Sequence, residues 1–331
     1  MNRGAWIRWL VGLAVSAAFL WLAFRAVNPT DVWQEITGAD QRFLLPAVGC
    51  TTLTSLLRGL RWKLCFERED HVTFWQSSAA YSVGALSGQT VVPARLGDLV
   101  RVYVLGRVSK VSAGKALGTL VVERLSDLFA VVMMLTLLLP LFSLPPWVKL
   151  IDGFAAGIAL VALVIVYVSA RRSESIAEPL WVARRRPLQI GFGVLLQIMK
   201  GFSAVKDPRR ALLILLLSFA LWISQTGTYA ISFIAVHIPL GWKEGALTTG
   251  ILALTAIIPT GPGFAGSFEL ATQQLLALFS VDRTLATGYQ EYTRIVNLIA
   301  GAIYLAICLV VLKLRPYGHF AERPKELLSQ P

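Results

Sequence analysis

Six stretches of this chain, roughly 6–26, 43–64, 115–139, 153–170, 211–236 and 290–313, are apolar over about the length a helix needs to cross a hydrocarbon core. Such stretches leave the backbone little choice. Lipid offers no partner to an amide, so each stretch must close its own hydrogen-bond ladder as a helix. The composition agrees: 56% of the residues are hydrophobic and only 15% are charged. A soluble domain carries about 25% charge. The expected class is therefore an all-α polytopic membrane protein. The net charge of +12 is read as loop bias on one side of a membrane, and no nucleic-acid partner is expected.

Two further regions, 75–107 and 243–280, are apolar but interrupted. The second contains IIPTGPGFAGSFE, from Ile257 to Glu269, where prolines and glycines sit in what should be a continuous helix. Proline removes a donor and glycine weakens a helix. In a membrane such a break survives only when it is buried in protein or lines a cavity. Each region holds two helical arms around its break. They read as re-entrant hairpins, or as pairs of short tilted helices that would raise the crossings to ten. Either way the chain returns to the side it left.

Basic residues fix the sidedness. With the N-terminus taken as cytoplasmic, twenty-three of the 31 Lys and Arg residues fall inside and five outside. Both termini are then cytoplasmic. The segment 171–210 carries RRSES, ARRRP and then PLQIGFGVLLQIMKGF, a stretch suited to a short interfacial helix. Its charge serves as a topology anchor or attracts anionic headgroups. MNRGAWIRWLVGLAVSAAFLWLAF at the start has a long apolar run without a clear cleavage site, and reads as a first transmembrane helix. Cys50, Cys65 and Cys308 are odd in number and lack metal spacing, so they read as small packing residues.

The chain also repeats. Residues 1–151 run helix, polar linker, helix, broken hairpin, helix, and 152–315 run the same way, followed by a tail at 316–331. The breaks align as VVPARLGDL and IIPTGPGFA, with Pro93 and Pro259 each four residues before a glycine. Three crossings per half make the second copy inverted. Paired interruptions of this kind point to a transport site.

Charges lie where lipid would penalise them. Glu123, Arg124 and Asp127 interrupt an apolar helix, with Glu123 and Asp127 on one face. Glu291, Arg294 and Asn297 form a stripe in the last helix. The hairpins add Arg95, Asp98 and Arg101, then Gly261, Gly263 and Glu269. Together these twelve make up the expected substrate-binding set. The second arm of each hairpin points its N-terminus at the break, where free amides favour an anion. Arg95 is placed to clamp a phosphate, or else Arg95 or Arg101 pins the hairpin to Asp98 or Glu123. Arg58 and Arg61 guard the cytoplasmic mouth or snorkel to the interface. No motif for a metal, cofactor or nucleophile is found, and no metal, cofactor or catalytic residue is expected.

The runs GALSGQTVVPARLGDLVRVYVL, GTLVVERLSDL and IIPTGPGFAGSFELATQQLLALF resemble the transmembrane flippase-like domain of lysylphosphatidylglycerol synthases. The chain is similar to stand-alone bacterial members of that superfamily. In two-domain members a soluble domain joins an amino acid to phosphatidylglycerol and the membrane domain moves the product across. The chain reaches Pro331 soon after its last helix, so aminoacyl transfer is not expected of it. The resemblance implies a bacterial inner-membrane protein that translocates a phosphate-bearing or otherwise polar-headed lipid. Two other functions remain open: an ion- or proton-coupled small-solute transporter, and an intramembrane enzyme acting on a lipid-linked substrate.

Overall fold

The computed structural model describes residues 17–25, 27–142, 146–172, 186–258 and 260–314. Every regular element among them is helical. A helical segment at 17–24 is followed by α1 (Pro29–Thr37), α2 (Leu44–Leu64), α3 (Phe74–Thr90), α4 (Gly97–Val108) and α5 (Ala113–Leu138). Then come α6 (Pro146–Arg172), α7 (Arg186–Lys200), α8 (Pro208–Ala235), α9 (Trp242–Thr255), α10 (Ser267–Ala277) and α11 (Arg283–Leu314). Local chemistry sets several of the starts. Asn28, Thr73, Ser112 and Asp207 each accept a backbone N–H of the first turn that follows, and Pro29 and Pro208 occupy first-turn sites where a missing donor costs nothing.

Among the described residues four helices are long and apolar enough to span: Gln41–Leu64, Ala113–Leu141, Pro208–Ala235 and Arg283–Lys313. The stretch 153–170 lies within α6, whose apolar part is the shorter Ala156–Arg171. Most of 6–26 lies outside the described residues. The first-half linker differs from its reading as plain polar chain. It contains α1, because a cap and a proline start a helix once Val32 has a core to enter.

Helices α2 and α8 form the central crossing. Small and polar side chains let them approach. Thr51 and Thr228 share a hydrogen bond of 3.0 Å, and Ser224 donates to the Cys50 carbonyl at 2.8 Å. This is how membrane helices associate when burial of apolar surface drives nothing. Around this axis, α3 packs on α2 and α11, while α9 packs on α8 and α5. Likewise α7 lies on α5 and α1 on α11. Cys65 and Cys308 are buried and all three cysteines are free.

Arms α3 and α4 pack along each other as a hairpin. Gly84 and Gly97 make this possible: a Cβ on Gly84 would lie 2.5 Å from the Gly97 carbonyl oxygen. At 1.5 Å per residue, α3, α4, α9 and α10 are about 25, 18, 21 and 16 Å long, each short of the roughly 30 Å hydrocarbon core.

Candidate functional site

The two interruptions meet. The Ala94 amide donates to the Gly261 carbonyl at 3.3 Å. Gly263, at φ +63°, lies so near α3 that a Cβ would sit 3.0 Å from the Gln89 carbonyl oxygen. Only glycine combines that left-handed backbone with that approach without strain. Phe264 stacks on Phe268 with ring centroids 4.6 Å apart, which supports the turn from below. Pro93 sits at the first break. Pro259 lies outside the described residues.

Beside this junction is a cavity of about 530 Å³, walled by α2 to α5, α8, α9, α11 and the second break. Nine of the twelve expected residues line it: Arg95, Asp98, Arg101, Glu123, Arg124, Asp127, Gly263, Arg294 and Asn297. Gly261, Glu269 and Glu291 are not on its wall. Gly261 joins the breaks, while Glu269 and Glu291 hold Arg294 from behind.

The first-half wall is a network of arginines and carboxylates. Glu123 is 1% exposed and receives both Nη atoms of Arg101, at 3.2 and 2.8 Å. Arg101 also lies over the Trp62 ring at 4.6 Å. Asp127 is held by Arg61 through two bonds of 2.5 and 3.1 Å and by the Trp222 indole N–H at 3.0 Å. Arg61 spans the two acids, with Nη2 3.1 Å from Glu123, and donates to Ser218 at 2.7 Å. Charges so deep are tolerated because each has a geometrically good partner. Arg124 turns away from this face and pairs with Asp98 on α4, tying α5 to the hairpin.

Two expectations are corrected here. Arg61 does not snorkel: it is 0% exposed, because two buried carboxylates on α5 draw it inward. The N-terminus of α10 is not a free anion site. Glu269 turns back to accept the Gly266 amide at 2.7 Å and pairs with Arg294, so the chain's own carboxylate already occupies it. By contrast, α4 starts at Leu96 with no side-chain cap.

Of the two readings of the first hairpin, Arg101 takes the pinning role, with Glu123 and with Asp98 at 3.6 Å. Arg95 behaves differently. Among the described residues it makes no hydrogen bond and no ion pair, yet it lines the cavity. Arg58 is nearly as free: it lies over the Trp222 ring at 5.2 Å and 3.8 Å from Asp127, whose oxygens Arg61 already holds. Sequence reasoning missed Arg61 and Trp222 as members of the site. The signal available was the acid pair itself, since two carboxylates on one buried face require cations from a neighbouring helix.

Such a wall can hold an anion with guanidinium donors, while Leu86, Leu128, Val131, Leu252 and Ile257 make much of the rest of the cavity apolar. It offers no pairing of nucleophile and base within the contacts described.

Comparison with known proteins places this architecture. Residues 9–304 match the model of the lysylphosphatidylglycerol synthase TM region. The chain is 24% identical over 225 residues to a UPF0104 membrane protein of Methanocaldococcus jannaschii, covering 68% of this chain and 93% of that one. It is 22% identical over 308 residues to glycosyltransferase AglD of Haloferax volcanii, covering 81% of this chain and 48% of that one. The chain thus spans about half of the glycosyltransferase. With its long apolar helices and a match over most of its length, it is a multi-pass membrane protein and belongs to the family of the lysylphosphatidylglycerol synthase transmembrane region.

Proposed function

We propose that the protein moves a polar-headed lipid across the bacterial inner membrane, the headgroup passing through the cavity while the acyl chains stay in the bilayer. One observation carries this reading: the charged cavity sits where the two helix breaks touch, and one arginine on its wall is exposed at the protein surface. Arg124 lines the cavity yet keeps 42% of its side chain exposed, and the same two helices expose Leu99 and Tyr103 on α4 and Val121 on α5. A cavity with guanidiniums on one wall and apolar side chains around much of the rest suits an amphiphile better than a small ion.

The two halves are read as inverted repeats. The exchange of neighbours supports this, since α3 sits between α2 and α11 as α9 sits between α8 and α5. The short arms support re-entrant hairpins, and the basic residues support cytoplasmic termini. The protein acts as a transporter on this reading and changes no covalent bond.

The test is a leaflet-sidedness assay in vesicles reconstituted with Arg95→Ala and Glu269→Gln. Each is expected to slow lipid movement about tenfold or more, the loss of one charge-assisted contact. Unchanged movement in both retires the assignment of the site. Mass spectrometry of the same lipids should return unaltered masses, and a new mass would favour chemistry on a lipid-linked substrate instead.

A further inference from the structure

Five arginines gather at the first-half wall: Arg58, Arg61, Arg95, Arg101 and Arg124. They share three carboxylates, Asp98, Glu123 and Asp127, so five against three leaves two positive charges without a partner. The opposite wall offsets one of them in number, since Glu269 and Glu291 face a single Arg294, yet both acids are bonded to Arg294 and neither reaches a first-half arginine among the described residues.

Geometry says which two are in surplus. Arg61 and Arg101 are locked into bidentate pairs, and Arg124 has Asp98. Arg95 has no ion pair among the described residues, and Arg58 has only the long contact to an acid already taken. A half-buried guanidinium with no close counterion is costly; Arg95 is one, and Arg58 has only its 3.8 Å contact with Asp127. Gln89, which lines the same cavity, has a buried Oε1 with no partner among the described residues.

We propose that Arg58 and Arg95 form an anion site in this cavity, and that the headgroup it takes is net negative: a phosphomonoester or a comparably charged phosphate, carried on lipid or free. This rests on the cavity being the transport site. It narrows the substrate class, because a zwitterionic headgroup would bring its own cation to a wall that already has too many. Two guanidiniums supply the planar donor pairs that phosphate oxygens accept, which an ammonium would not.

The experiment is titration calorimetry of the full chain in neutral detergent with three probes: short-chain phosphatidic acid, short-chain phosphatidylcholine and inorganic phosphate. Phosphatidic acid is expected to bind at least tenfold more tightly than phosphatidylcholine. Arg58→Gln and Arg95→Gln should each weaken the acid about tenfold and leave phosphatidylcholine unchanged, while Arg95→Lys retains part of the affinity. Arg107→Gln, an exposed residue bonded to Tyr103 away from the cavity, should bind as the native chain does. Equal affinity for the two lipids, or native affinity in both glutamine variants, overturns the proposal. Melting temperatures measured alongside identify any variant that has failed to fold, for which Arg95→Lys serves as the readout. Phosphate bound without phosphatidic acid upholds the anion site and refutes the lipid reading. Phosphatidic acid bound without translocation in the vesicle assay upholds the site and refutes transport.

Discussion

Arg61 has no water to fall back on. Its guanidinium holds Asp127 and Glu123 at once; removing it leaves Glu123 with Arg101 but Asp127 with only the Trp222 indole and the long Arg58 contact. Breaking a buried pair from one side costs about 3–5 kcal/mol, far more than the pair contributes against an apolar replacement. Arg61→Met should therefore lower the unfolding temperature in detergent sharply. The double variant Arg61→Met with Asp127→Leu should recover part of that loss, because the acid left underpaired is then gone and Glu123 keeps Arg101. A fully additive double variant would mean that the two residues do not act as a unit. At this scale the acids were legible in the sequence and the base was not. Glu123 and Asp127 interrupt an apolar run, which marks them as functional or paired. Arg61 lies close to the end of α2, where an arginine that reaches for water and one that reaches inward have the same sequence signature. Only the position of α5 decides between them.

Among the elements, α7 shows how glycine spacing chooses a neighbour. Gly114 and Gly118, four apart on α5, open a groove that receives Gln197 and the Ile198 carbonyl. A Cβ on Gly118 would sit 2.0 Å from that oxygen, so the helix must move if one is added. Gly118→Leu is expected to lift α7 from α5, read as faster modification of a cysteine placed at Ile198, which is half-buried against the core. Unchanged reactivity would show that α7 is held elsewhere. The sequence signalled a short helix over this segment from its apolar stretch, and the helix is there. It did not signal the docking partner, because the groove belongs to a segment some eighty residues away. The same reason hid α1: its own residues are polar enough to pass for a linker, and its helix depends on the surface of α11 beneath it.

For the whole molecule, the contact between the breaks joins the two halves at the site, alongside the bonds from Trp222 to Asp127 and from Arg61 to Ser218. It rests on Ala94 and Gly261, whose backbones share a hydrogen bond. Ala94→Cys with Gly261→Cys, in a chain whose three native cysteines are replaced, should form a disulfide under mild oxidation. The bridge is expected to halt lipid movement and reduction to restore it. Movement that continues with the bridge intact would mean that the breaks need not part. The pairing of hairpins was legible from the two Gly/Pro interruptions, since lipid allows such breaks few other places. Their touching was not, because it is set by the crossing of α2 and α8 and by the way each half reaches over the other's last helix.

One asymmetry follows from the second break. Glu269 caps its own helix and grips Arg294 at the same time, with stacked phenylalanines beneath, whereas the first break opens onto α4 with no side-chain bond at Leu96. The second turn is fastened at its own start, the first only farther along α4, by Arg101 and Asp98. On the proposed transport reading, cargo would be admitted and released by rocking about the second turn as the single fulcrum.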